Sequence, residues 1–253
     1  MSVDLPAARP PLPVLYRDAR CIAVHKPPGM LVHRSPISQD RDFVVQTLRD
    51  QIGRRVYPVH RLDRATSGVL LFGLTPESAG VLARALESPD AVKEYRALAR
   101  GWVDDEGVID HPVTDEEGSN RPRPAVTRYR CLARVVLPVR VDHYATSRYS
   151  LVQVLPETGR RQQIRKHFKH ISHHLIGDTT HGNGRHNRFF RECFRIHRLM
   201  LTAVRLRMKR PDLDDWLDLR ALPEPEWALL ADCFGWPCRG ESVRGRSGGG
   251  GRC

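Results

Sequence analysis

Pro58 to Leu74 limits what this chain can fold into more than any other stretch. An ionisable cluster, His60-Arg61-Leu62-Asp63-Arg64, meets a small-residue turn, Thr66-Ser67-Gly68, and then enters the apolar run Val69-Leu70-Leu71-Phe72-Gly73-Leu74. Successive strand side chains point to opposite faces, so a run without polar alternation predicts a strand covered on both sides. A charged loop must then sit at the mouth of a buried strand. Partial burial would raise the pKa of Asp63, while Arg61 and Arg64 beside it favour its ionised form. An ionised, poorly hydrated carboxylate can serve as a nucleophile. It can equally cap a turn or pair with arginine for stability, and spacing alone leaves both roles open.

The rest of the chain supplies partners for that strand. Cys21 to His25 predicts a strand stopped by Lys26-Pro27-Pro28-Gly29. Phe43 to Ile52 has helical spacing and ends at Gly53, and Thr75 caps a helix, with Pro76 in its first turn, that runs to about Leu86. Val92 to Arg100 and Val126 to Val136 read as strands, with Asp104 to Pro124 as a surface excursion between them. Tyr149 to Leu155 alternates as a strand and leads through Pro156-Glu157-Thr158-Gly159 into a helix on which Ile164, Phe168, Ile171 and Leu175 share a face. Leu199 to Met208 predicts a further strand and Glu224 to Phe234 a closing helix. Strands in succession with irregularly interspersed helices indicate an α+β fold: a mixed, mainly antiparallel sheet with flanking helices and a central basic cleft. The expected organisation is a proline-rich leader over 1–13, one body over 14–238, and a disordered Gly/Arg tail over 239–253.

Charge narrows the partners. Lys and Arg number 41 against 29 Asp and Glu, a net charge of +12, which favours polyanions and nucleic acid first. Between Arg160 and Arg198 there are ten Lys or Arg and two acids, a patch suited to phosphates. Arg160, Arg185 and Arg188 are its candidate RNA contacts. Six cysteines without a C-x-x-C pair argue against a zinc module or a disulfide framework and suit reduced thiols in a cytosol. No apolar run has signal-peptide or membrane-span character, so a cytoplasmic protein with no membrane partner is expected. The absence of G-x-G-x-x-G and G-x-x-x-x-G-K leaves nucleotide-cofactor binding unsupported. His167, His170, His173 and His174 have no acidic or Cys partner nearby, so they read as packing in or near an RNA surface and no metal is expected. Trp216, Trp227 and Trp236 read as core residues.

The motifs resemble those of a known family. His60 to Gly68, HRLDRATSG, resembles the signature of the RluA-type pseudouridine synthases, whose Asp is the catalytic carboxylate. His25-Lys26-Pro27-Pro28-Gly29-Met30-Leu31-Val32-His33 resembles the family's N-K-P-x-G-x-x-V-H opening, and Lys93 to Leu98 its K-x-Y-x-A segment. Thr158 to Arg165 resembles G-R-x-H-Q-I-R, with Gln162 where the family usually has His. The resemblance implies that Asp63 is the nucleophile, that Arg165 pairs with it, that Tyr95 lies against the target uracil and that Ile164 flanks the base. Arg61 and Arg64 would shape the loop and its charge as substrate-binding residues.

The implied reaction breaks the N-glycosidic bond of uridine and rejoins the same sugar carbon to C5 of the uracil, with no cofactor. Glycosidases carry two carboxylates because they deliver water; one intact acid motif suits isomerisation better. A base inside folded RNA must be extruded to react. Ile176 to Phe190 and Phe43 to Arg49 resemble the branch that modifies uridine 65 in the T-arm of tRNA, although Thr202 stands where a His is expected. A chain that starts close to its catalytic body also leaves no room for the S4-like domain of many ribosomal-RNA members. The expectation is a monomeric enzyme acting on tRNA. A ribosomal-RNA synthase of the same family and a non-catalytic RNA-binding protein are the alternatives.

Overall fold

The computed structural model describes residues 10–33, 42–114, 121–211 and 213–236. They fall into two compact units that divide between Leu222 and Pro223. Unit 1 contains the strands β1 (Val14–Arg17), β2 (Cys21–Lys26), β3 (Tyr57–Pro58), β4 (Ser67–Gly73), β5 (Val92–Arg100), β6 (Glu106–Asp110), β7 (Val113–Thr114), β8 (Pro122–Arg123), β9 (Val126–Leu137), β10 (Ser147–Pro156), β11 (Leu201–Arg210) and β12 (Asp215–Arg220). Its helices are α1 (Val44–Ile52), α2 (Pro76–Leu86), α3 (Gln163–His170) and α4 (Gly184–Phe194). The second unit holds α5 (Pro225–Phe234), whose Trp227, Leu230 and Ala231 are buried. The expected tail over 239–253 and positions 1–9 of the leader lie outside the described residues. Leu12 is buried, and its backbone N–H and carbonyl both bond the Gln51 side chain.

The sheet runs β1-β2-β4-β11-β5-β10-β9-β6, with β3 beside β4 and β12 beside β11. Every pairing is antiparallel except β4 with β11. The apolar run in β4 needs both faces covered, and both are. Val69 and Leu71 join Cys21 and Ala23 of β2 against Leu82, Ala85 and Leu86 of α2. Leu70 and Phe72 join Ile22 and Val24 against Val44 and Leu48 of α1. A third core forms where α3 lays Ile164 and Phe168 on Ala97, Ala99, Val152 and Val154. Burying each of the Val, Leu, Ile and Phe side chains stabilises by about 1.5–3 kcal/mol.

Local chemistry ends the elements where the sequence indicates. Thr75 and Ser78 form a capping box with Pro76 in the first turn of α2, and Gly53 closes α1 at φ +69°. Three expectations need correction. The helix expected to carry Leu175 ends at His170, because the chain turns at Ser172 (φ +62°); Leu175 reaches the same core from a bridge to Ala99. The excursion expected over 104–124 contains β6, which extends the sheet along β9. Only Ile109 of β6 is buried, so its pattern is too short and too acidic to read as a strand. Trp216 is 45% exposed, with the Arg207 guanidinium over its ring at 4.1 Å, and is not a core residue. The strands β1, β3, β7, β8 and β12 also have no counterpart among the strands expected from the sequence.

The parallel junction of β4 and β11 pairs Ser67 with Thr202 and Gly68 with Ala203. Gly68 sits at φ +109°, and an added Cβ would lie 2.2 Å from the Ala203 carbonyl oxygen. Strain and overlap therefore combine there. Gly68→Ala is expected to lower unfolding free energy by roughly 3 kcal/mol or more in urea titrations. Gly29→Ala has positive φ and open space, so it should cost only about 1–2 kcal/mol.

Candidate active site

Asp63 lies on the loop between β3 and β4, and that loop is laced from three sides. His60 Nε2 accepts from the Leu71 N–H (3.2 Å), which extends the edge of β4. Burial, helped by the charge of Lys93, lowers the His60 pKa to about 4, so the ring stays neutral and able to accept. The fully buried Lys26 donates from Nζ to the carbonyls of Pro27 (2.8 Å), Met30 (2.7 Å) and Arg64 (3.0 Å). The Gly29 N–H donates to Arg64 O and Arg64 Nε donates to Gly29 O. Lys26-Pro27-Pro28-Gly29 and the HRLDR loop thus form one rigid corner, and a tight turn from Asp63 to Thr66 closes it.

The opposite wall is the junction of β10 and α3. Gln163 makes four hydrogen bonds: its oxygen accepts from Thr158 Oγ1 (2.7 Å) and Arg160 N (2.9 Å), and its amide donates to Val126 O (3.0 Å) and Thr127 Oγ1 (2.9 Å). A buried amide satisfied this completely is a structural pin. It starts the helix that carries Ile164 and Arg165. Gln162, in the left-handed region at φ +54°, sends its side chain to His181 Nε2 (2.8 Å).

Arg165 is the centre of the site. Its Nε and Nη2 each lie 2.7 Å from an oxygen of Asp178, a fork-to-fork pair. Nη1 remains directed at Asp63 Oδ2, 3.8 Å away. The Asp63 side chain is 19% exposed and that of Arg165 6%. Burial alone would raise Asp178, but the two bonds from Arg165 and the N–H groups of His181 and Thr180 hold it below the ordinary carboxylate range. Asp63 goes the other way. Its burial outweighs Arg165, Arg61, Arg161 and the Gln162 N–H, so its pKa is raised. The sequence reading gave Asp178 no role, although a signal was present, since it is one of only two acids in the basic stretch from Arg160 to Arg198. The chain reaches it through Gly177, at φ +79°, where a Cβ would strike the Arg198 carbonyl at 1.8 Å.

Two hollows meet at Asp63. The smaller, about 260 Å³, is lined by Tyr95, Ile164, Leu201, Thr66, Arg160 and Arg123 among others. The larger, about 750 Å³, lies toward Pro28, Arg64, Thr179 and Arg198. Arg61, Leu62, Asp63, Arg161, Gln162 and Arg165 border both, and among the described residues Asp63 is the only acid lining either. Burial and the Asp63 charge raise the Tyr95 phenol pKa, so it stays neutral. The structure therefore brings Asp63, Arg165, Tyr95, Ile164, Arg61 and Arg160 to one place, with Arg64 at the rim of the larger hollow. Arg185 and Arg188 lie elsewhere, exposed on α4, and Arg185 pairs with Asp142. Of the four histidines, His167 bonds His111 O (2.9 Å), His170 stacks on His111 at 3.6 Å, and His173 bonds Arg100 O (2.8 Å). Among the described residues no three His, Cys, Asp or Glu side chains gather as a metal site.

A model of RNA pseudouridylate synthases matches residues 20–170, and the chain belongs to that family. Its relatives include the tRNA pseudouridine synthase C of Vibrio cholerae serotype O1, 44% identical over 235 residues that cover 89% of this chain and 96% of that protein. The protein of the same name from Pectobacterium carotovorum is 46% identical, over 89% of this chain and 62% of its own length. Among solved structures, human RNA pseudouridylate synthase domain containing 1 superposes with a TM-score of 0.68, covering 92% of this chain and 91% of that one at 24% identity. Human RNA pseudouridylate synthase domain containing 4 gives 0.66 at 19% identity, over 86% and 91%. These two share the fold.

Asp178→Asn keeps the shape but removes the charge that neutralises Arg165 in a buried site. Unfolding free energy from urea titration is expected to fall by about 3 kcal/mol. A loss below about 1 kcal/mol would show that the pair contributes little.

Proposed function

We propose that this protein isomerises uridine to pseudouridine in tRNA, at position 65 of the T-arm, with Asp63 as the nucleophile. The observation that carries the reading is the isolation of Asp63, the one acid among the described residues that line a basic cleft, between the Arg165 guanidinium and the hollow lined by Tyr95 and Ile164. Family membership and relatives named tRNA pseudouridine synthase C support the substrate class. The stretch 176–190, which supplies Asp178, supports the tRNA branch. One chain supplies every residue of the site, so a monomer suffices. No described helix is long and apolar enough to cross a membrane, and we place the enzyme in the cytoplasm beside its substrate.

In this reading the uracil occupies the smaller hollow against the Tyr95 ring and Ile164. The Asp63 carboxylate attacks at the sugar or the ring as the bond between N1 and C1′ breaks. The uracil turns within the hollow, C5 bonds to C1′, the bond to Asp63 breaks and frees the carboxylate, the C5 proton leaves and N1 gains a proton. Arg165, held by Asp178, keeps the carboxylate aimed and anionic. A uracil filling the smaller hollow would displace water from beside Asp63, which favours return of the base to the sugar over hydrolysis. Arg61, Arg64 and Arg160 take the backbone phosphates, with Arg185 and Arg188 reaching RNA farther out on α4.

Asp63→Ala is expected to abolish tritium release from C5-labelled uridine in tRNA while RNA affinity stays within roughly tenfold, because phosphate contacts dominate binding. Tritium release from ribosomal RNA but not tRNA would reject the substrate assignment, and retained release in the variant would reject the nucleophile. Since the carboxylate must be ionised and its pKa is raised, activity is present above that pKa and lost as pH falls through it. The acid limb of kcat/KM should therefore lie above 3.8, and Arg161→Ala should move it higher. A limb at or below 3.8 would contradict the assignment.

A further inference from the structure

We infer that the larger hollow behind Asp63 is a second nucleotide subsite, which receives the base adjoining the target uridine. The inference rests on the reading of the smaller hollow as the uracil pocket, and it gives a purpose to space that the reaction leaves unused. At about 750 Å³ the hollow has the size of cavities that bury small organic ligands. Its walls suit a base. Pro28 and Leu31 offer apolar faces, Arg64 and Arg198 offer guanidinium planes, and Thr179 offers a hydroxyl. Bases splayed out of a helix are held in this way, by stacking on apolar and arginine planes with a few edge contacts. Arg198 is set in place beforehand, since its Nη1 donates to the buried Ser67 Oγ (2.8 Å).

The position fits a neighbouring nucleotide rather than a separate ligand. Arg61 and Arg161 border both hollows from opposite walls, so a phosphate passing between them would join a base on one side of Asp63 to a base on the other. Extruding a uridine from a stem also breaks the stacking of the next base, which then needs a new surface. The floor of the larger hollow is tied to the reacting groups as well. The Thr180 N–H donates to Asp178, the anchor of Arg165.

The test uses short hairpin RNAs carrying C5-tritiated uridine at the target, with the nucleotide on its 5′ or 3′ side replaced by an abasic ribose phosphate. Loss of a flanking base makes extrusion easier, so a slower reaction must come from lost binding. One of the two abasic hairpins is expected to lower wild-type kcat/KM about tenfold, the scale of one lost base stack. Thr179→Trp, at an exposed side chain, fills the hollow. It should slow the intact hairpin by a similar factor and the affected abasic hairpin by less than about twofold more. Losses that multiply would overturn the subsite, as would two abasic hairpins that react like the intact one. The wild-type comparison decides this even if the Trp variant fails to fold. Absence of tritium release from the intact hairpin and from tRNA would instead reject the underlying isomerase reading.

Discussion

The Arg165 guanidinium lies between two carboxylates and treats them unequally. Two nitrogens are committed to Asp178 at 2.7 Å, and the third is left 3.8 Å from Asp63. The first pair is a buried ion pair with good geometry, completed by backbone N–H groups on the acid, the arrangement in which such a pair offsets its own desolvation. That grip prevents Arg165 from collapsing onto Asp63. For the role proposed for Asp63, a carboxylate clamped by a bidentate arginine would be a poor nucleophile, while one with no cation nearby would be pushed toward its protonated form by burial. Loose contact with a rigidly held guanidinium avoids both outcomes.

The fold exists, in this sense, to hold two loops against each other. Asp63 enters from the mouth of β4, whose apolar faces fix it between α1 and α2. Arg165 enters from α3, fixed by Gln163 and by the core beneath Ile164 and Phe168. The parallel pairing of β4 with β11 brings the halves together, and it closes only because Gly68 has no side chain. Ser67, Thr202 and Arg198 bond in series across the same junction. The interior of the sheet and the rim of the cleft are therefore mechanically continuous.

Much of this was legible in the sequence because it is local. The unbroken run from Val69 to Leu74 requires a strand covered twice. Thr75-Pro76 requires a helix start, and Gly53 a helix stop. Each is settled by the conformational preferences of a few neighbouring residues. The charge on Arg160 to Arg198 is likewise additive and can be counted without a structure.

What the sequence could not decide depends on residues distant along the chain. Asp178 is an ordinary acid by neighbourhood, and only folding sets it 2.7 Å from Arg165. For Asp63 the neighbouring arginines favour a lowered pKa and burial a raised one, a balance that sequence leaves open; burial by the surrounding walls wins and raises it. Leu175 falls on a helical face by spacing but reaches the core after the helix has ended. Arg185 and Arg188 belong to the basic stretch by composition, while α4 carries them away from the cleft. Composition and motif determined which groups this protein has and what chemistry they can perform. Tertiary structure alone decided which of them share a low-dielectric site, because desolvation and close pairing depend on through-space distance.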